Sequence, residues 1–435
     1  MEAGIARPFG LWMATALVIG GMIGSGIFVL PAQLAPYGWT GAIVWLVAVA
    51  GALIVAWVMS GLTEARPQAT GMVAICGEAL GPLPGVLVGW AYWVGVWSAN
   101  AVISLTAVRY LSVFIPTLGE TPLRLALGAV VLVWLLTLLN LGGAKAAGRF
   151  QVLTTALKLL PLLAVVAILA GFVLSGGGQF RGHPHAPFVA SQLTPALTLA
   201  FYALIGFEAA GVAAERVRDP ARNVVRAMLV GVSLVGVLYI IVCSGIIFAL
   251  PEAIAANATA PMAMFVEMFW GRAAGLAVAA FAAVAAIGCL NGWVLVQGEL
   301  PLGMARAGLF PRWVGHTSRR DVPILAIVVA SILASILVMS NAERGTAGLL
   351  DFMLRMTAAA TVWLYIGACA AALIMRVRRV AAAIGLAFSL WVLWGSGLEA
   401  GGLSLVLMLT AIPLYFLRPR TDRSAEQSPD QAAIA

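Results

Sequence analysis

Between residues 8 and 63 the chain carries no Asp, Glu, Lys or Arg. A helix crosses the hydrocarbon core of a bilayer with about 20 apolar residues, so this one stretch has room for two crossings. Comparable charge-free runs follow at 79–108, 125–144, 159–180, 182–207, 227–251, 273–298, 322–342, 356–375, 380–398 and 400–417. With the two at the start they predict an all-α, polytopic membrane protein of about 12 transmembrane helices. Composition agrees: 62% of residues are hydrophobic and 10% charged, whereas soluble domains carry roughly a quarter charged residues. A water-soluble chain is excluded.

The net charge of +8 would suit nucleic acid if it were clustered, but it is distributed by membrane side. Counting from a cytoplasmic N-terminus, Arg66, Lys145, Arg216, Arg218, Arg222, Arg226, Arg319, Arg320, Arg376, Arg378 and Arg379 fall inside. The outside loops hold Arg124, Arg181, Arg272 and Arg344. This is the positive-inside pattern, and it predicts a multi-pass inner-membrane protein with both termini cytoplasmic and no nucleic-acid partner. Residues 1–9 show no cleavage pattern, so the first helix is expected to stay in the mature protein. Residues 1–417 read as one transmembrane domain and 418–435 as a disordered polar tail. Cys76, Cys243, Cys289 and Cys369 are too far apart for a disulfide framework or a zinc site and read as packing residues. His183 and His185 alone make a poor metal site. No catalytic or phosphate-binding motif stands in a suitable context, so no cofactor, metal or enzymatic activity is expected.

Two spans look broken. The first contains Gly20-Gly21-Met22-Ile23-Gly24-Ser25-Gly26, and the sixth contains Ile205-Gly206-Phe207-Glu208-Ala209-Ala210-Gly211. Glycine costs about 1 kcal/mol against alanine inside a helix, and a carboxylate beside a second cluster raises the cost. Each broken span heads a set of five, the pattern of an inverted-repeat secondary transporter with its site at the midplane. Unwinding at these points frees backbone groups. The amides of Ser25, Gly26 and Ile27 would favour a carboxylate, as helix N-termini do. Carbonyls near Met22, Tyr202 and Ile205 would suit an ammonium, so the pair fits a zwitterion.

Two deep charges stand out. A carboxylate at the depth of Glu208 costs roughly 2.5–3.5 kcal/mol on insertion scales, so it needs a partner or a proton. Lys158, about 15 Å along a fifth helix that starts near Gly148, is too deep to snorkel easily. Its ammonium is placed to bond the carbonyls freed in span 1. Both are candidates for proton coupling, with a structural role as the alternative. Trp293 lies well inside span 8, away from the interface belt where tryptophans gather, and its face could hold a cation. Asp351 and Arg355 read as a local i,i+4 pair, and Arg109 as a residue that snorkels outward.

At this point Gly24-Ser25-Gly26-Ile27-Phe28 with Pro31, Ile205-Gly206-Phe207-Glu208, Asp219-Pro220-Ala221-Arg222-Asn223, Gly292-Trp293 and Gly308-Leu309-Phe310-Pro311 resemble the amino acid-polyamine-organocation superfamily. Within it the chain is most similar to the basic amino acid/polyamine antiporters. The resemblance implies a five-helix inverted repeat with discontinuous helices 1 and 6. It also implies a homodimer and exchange of a basic amino acid such as arginine for its amine such as agmatine. By match of position it places substrate at Met22, Ser25, Gly26, Gly95, Val96, Asn100, Ile103, Tyr202, Ile205, Trp293 and Thr357. It assigns gating to Tyr92, Tyr202, Glu208, Leu350 and Tyr365. Gly21 stands where the antiporters have Asn, and Lys158 resembles the lysine of proton-coupled amino acid transporters in the same superfamily. A proton-coupled symporter for neutral or broad-range amino acids is the alternative reading.

Overall fold

The computed structural model of the protein describes residues 10–67, 69, 71–142, 157–181, 183, 185–208 and 219–418, all helix, turn and loop with no strand among them. The expected start of the fifth span near Gly148, the stretch beyond Glu208 in the sixth and the tail from 419 onward lie outside the described residues. Among the described residues, eight helical stretches are long and apolar enough to cross a membrane: Ser25–Ala65, Pro82–Leu111, Pro122–Leu141, Arg222–Ala249, Arg272–Arg306, Ile324–Arg344, Ala347–Ile374 and Gly397–Leu417. Shorter apolar helices at Leu11–Met22, Leu159–Leu174 and Arg379–Gly395 add to them. The protein is an all-helical, multi-pass membrane protein.

Side chains are distributed as lipid requires. Leu174, Trp394, Leu398 and Phe416 are exposed on the outside, while Ser104, Thr106, Thr198, Asn100 and Gln297 are buried. Hydrocarbon provides no hydrophobic drive between helices, so close packing and buried hydrogen bonds must join them.

Seven helices build the centre. In chain order α1 is Leu11–Met22, α2 Ser25–Leu34, α3 Gly38–Ala65, α4 Met72–Leu80 and α5 Pro82–Leu111. Then come α6 Pro122–Leu141, α7 Leu159–Leu174, α8 Ala190–Leu204 and α9 Pro220–Tyr239, which runs through a π turn at Ile240–Ser244. Past Glu252–Ala256 (α10) and Pro261–Trp270 (α11) lie α12 Arg272–Arg306, α13 Ile324–Ser340 and α14 Gly345–Ile374. The centre is α1, α2, α5, α7, α8, α12 and α14, with α5 packed along both α12 and α14.

The glycine clusters break their helices at defined points. Span 1 leaves helical geometry at Ile23 (ψ 87°) and Gly24 (φ −124°, ψ −141°) and resumes at Ser25. The helix of span 6 ends at Leu204; Ile205 is extended (ψ 142°) and Gly206 has φ +116°. The two breaks touch. A Cβ on Gly206 would lie 2.6 Å from the Gly21 carbonyl oxygen, and a Cβ on Gly26 would lie 2.6 Å from Ala203 Cβ. At both positions the missing side chain is what lets the two spans approach.

Arg109 departs from expectation. Instead of reaching outward it is buried and donates to the carbonyl oxygens of Ala258 and Thr259, each at 3.1 Å. The loop between α10 and α11 supplies acceptors inside the protein, so the charge has no need of the interface. Asp351 and Arg355 do pair, at 2.8 Å, and the guanidinium also donates to the carbonyls of Pro195 and Gly395.

Gly26→Ala and Gly206→Ala should each lower the thermal unfolding midpoint in detergent, by an amount corresponding to about 1–3 kcal/mol of strain. Gly402→Ala, where an added Cβ meets nothing within 4 Å, should leave the midpoint unchanged or raise it.

Candidate functional site

The two breaks expose peptide groups where no water is available, and neighbouring side chains meet them. Lys158 is buried and its Nζ donates to the carbonyl oxygens of Gly20 at 2.5 Å and Ile23 at 3.2 Å. The carbonyl of Met22 accepts from the Tyr239 hydroxyl at 2.8 Å and from the Gly24 amide at 2.8 Å, while that of Tyr202 accepts from the Ile205 amide at 3.2 Å. Two of the carbonyls expected to await an ammonium thus already have donors: that of Met22 has one for each lone pair, while that of Tyr202 keeps a second lone pair for another. At the start of α2 the N-cap residue Gly24 offers no side-chain cap; the Ser25 backbone meets the Cys289 side chain, and the Gly26 and Ile27 amides lie at the positive end of the helix.

Glu208 follows the second break and is held by three donors. Its Oε1 accepts from the Tyr92 hydroxyl at 3.1 Å. Its Oε2 accepts from the Tyr365 hydroxyl at 2.8 Å and from the Gly206 amide at 3.0 Å. Phe207 stacks on the Tyr365 ring with centroids 5.2 Å apart. The three residues placed by resemblance at an inner gate are therefore in direct contact. Tyr202, one turn before the break in α8, shares a hydrogen bond of 2.7 Å with Ser25 Oγ and ties the two interrupted spans together. Leu350 is buried in α14, two turns before Thr357.

Helix α5 supplies another wall. Val96, Asn100 and Ile103 recur at i, i+4 and i+7 and share one face; all are buried. Ile103 packs in an apolar cluster with Ala99, Cys289 and Trp293, which brings α5 to α12. Gly95 lets α14 approach: a Cβ there would lie 2.4 Å from Thr361 Oγ1, one turn beyond Thr357. Of nine buried side-chain polar atoms without a partner among the described residues, three lie on α5 and α14. They are Asn100 Oδ1, Thr357 Oγ1 and Trp97 Nε1. A buried polar atom left unpaired costs about 1–3 kcal/mol, so each of these three calls for an explanation. Trp293 is half-buried, with its ring against that same wall.

Several of these residues were not singled out in the sequence. Cys289, Trp293 and Gln297 recur at i, i+4 and i+8 along α12, so one face carries all three. Cys289 Sγ lies against the first break, 2.9 Å from where a Gly24 Cβ would be. Gln297, fully buried, accepts from Asn100 Nδ2 at 2.6 Å. An uncharged amide one turn from a central tryptophan was the available signal. Tyr239 precedes a π turn, a local widening frequent at functional sites, but nothing in its neighbouring residues distinguishes it from an interface tyrosine.

The model of the amino acid permease family matches residues 9–426. The chain belongs to that family. The permease is 29% identical over 348 residues to a cadaverine/lysine antiporter of Escherichia coli K12, covering 79% of this chain and 78% of the relative. It is 26% identical over 415 residues to the putrescine transporter PotE of the same strain, covering 92% and 93%. These relatives are transporters, and the permease is a transporter rather than an enzyme, belonging to the superfamily that the motifs of spans 1 and 6 resemble.

Tyr365→Phe removes one donor from Glu208 while keeping the ring stack. Substrate flux in reconstituted vesicles should fall about fivefold to tenfold, the worth of one ordinary hydrogen bond, and Tyr92→Phe should act in the same direction with smaller effect.

Proposed function

We propose that the permease is a secondary active transporter of the inner membrane that exchanges a basic amino acid for its amine by alternating access. The observation that carries this reading is the contact between the two helix breaks, with Cys289 of α12 lying against the first break and packing on the Ala99–Ile103 face of α5. In this reading the α-carboxylate of the substrate rests on the Ser25–Ile27 amides, and its ammonium takes the remaining acceptor capacity of the Tyr202 and Ile205 carbonyls. The side chain extends toward Asn100, Trp293 and Thr357. Tyr92, Glu208 and Tyr365 close the inner side, and Tyr202 with Leu350 the outer side. Arginine with agmatine is one candidate pair; the antiport of lysine with cadaverine by a relative supports lysine as another. The membrane domain spans residues 1–417 with twelve helices in two inverted sets of five plus two, forms a homodimer in the bilayer, and places both termini and the 418–435 tail in the cytoplasm.

One observation favours a second reading, proton-coupled symport of neutral or broad-range amino acids. Lys158 bonds two carbonyls of span 1 directly, so loss of its proton would release the break it holds. Glu208 is the other residue able to carry the proton.

Proteoliposomes distinguish the two. Exchange predicts that uptake of labelled arginine or lysine requires a basic amino acid or diamine inside. Leucine or alanine uptake driven by a pH gradient alone would instead establish symport. Lys158→Ala should remove the dependence of uptake on pH if the lysine carries the coupled proton, and an unchanged pH profile rejects that role.

A further inference from the structure

Asn100 does not stand alone in α5. Its Nδ2 donates to Gln297 Oε1 at 2.6 Å, and Gln297 Nε2 donates to the main-chain carbonyl of Ile327 at 3.1 Å and to Ser331 Oγ at 2.9 Å. Ser331 Oγ in turn donates to the same Ile327 carbonyl at 2.9 Å and lies 2.7 Å from Thr137 Oγ1. All four side chains are buried. The chain therefore runs from α5 through α12 to α13 and α6.

Donor and acceptor chemistry leaves this network one consistent orientation. A main-chain carbonyl only accepts, so the Gln297 group facing Ile327 must be its NH2. The Ser331 hydroxyl spends its single proton on Ile327 and can only accept from Gln297. Both constraints turn Gln297 Oε1 toward Asn100, and Asn100 must answer with Nδ2. Its own Oδ1 is then directed away from the network, without a partner among the described residues. Had Gln297 been free to turn over, Asn100 could offer a donor or an acceptor with equal ease.

We infer that Gln297 is a positioning residue that locks Asn100 with its oxygen toward the substrate, making this subsite an acceptor for N–H groups. The subsite selects the side-chain ammonium or guanidinium of a basic amino acid, or the terminal ammonium of a diamine, over a carboxylate or an apolar chain end. This rests on the antiport reading above and names the feature of the site that gives it a preference for cations. The lock is made of neutral groups, so it supplies direction without a buried charge.

The test compares lysine with norleucine, which has the same straight chain and ends in a methyl group. In proteoliposomes of the full chain, Gln297→Met should raise the half-saturation concentration for lysine about tenfold, the value of one substrate hydrogen bond. It should leave that for norleucine within about twofold, so the ratio collapses. Asn100→Ala should give the same loss, and the double variant no further loss, because two residues acting through one contact are not additive. An unchanged lysine-to-norleucine ratio in Gln297→Met, or additive effects, overturns the proposal. Should Gln297→Met fail to reach the membrane, Asn100→Asp carries the test. A carboxylate oxygen set against Gln297 Oε1 breaks the lock, so lysine affinity falls, whereas a gain in lysine affinity from the added negative charge overturns the proposal. A wild-type protein that exchanges neither lysine nor arginine overturns the antiport reading instead. The coupling of Asn100 to Gln297 is then read on leucine uptake, where additivity overturns the lock.

Discussion

A peptide group left open in hydrocarbon has no water to turn to, and every such group must find a partner inside the protein. The whole centre of this molecule follows from that constraint applied to two interrupted helices. Gly206 at φ +116° and Gly26 against Ala203 allow the interruptions to nest, so the groups freed by one lie beside those freed by the other. Remaining carbonyls are met by a lysine and a tyrosine drawn from distant parts of the chain. Among the polar atoms left without a partner are those of Asn100, Trp97 and Thr357, and in the proposed function two of these residues, Asn100 and Thr357, face the substrate.

Tyrosine does much of the local satisfaction. Five of the seven tyrosines in the chain direct their hydroxyls to spans 1 and 6: Tyr92 and Tyr365 to Glu208, Tyr202 to Ser25, Tyr239 to Met22 and Tyr110 to Phe28. A phenol is suited to this because its ring is at home in the apolar interior while its hydroxyl both donates and accepts. Such bonds are individually modest and readily exchanged. A transporter that must open and close the same backbone needs partners of this kind, and Lys158 is the exception with a full charge.

Much of this arrangement was legible before any coordinates. The glycine clusters, the deep Glu208 and the deep Lys158 are anomalies against an apolar background, so their cost alone announces them. Gln297 and Cys289 were not legible, because an amide or a thiol in a membrane helix is unremarkable until its neighbours are known. Arg109 was misjudged for a related reason. Position in the span put it near the surface, and only the path of the loop through Ala258 and Thr259 shows that acceptors lie within reach inside.

Hydrophobicity and charge are properties of single residues summed along a line, so the chain on its own determined that it crosses a membrane many times, where its helices break and that Glu208 and Lys158 lie deep. Pairing across the molecule is a property of three dimensions. The folded structure alone decided that the breaks touch, that two tyrosines share Glu208, and that Asn100 is held by Gln297 with its oxygen free. The physical reason is that a hydrogen bond depends on distances of about 3 Å between atoms, and residues nearly 200 positions apart, such as Asn100 and Gln297, acquire such distances only when helices pack.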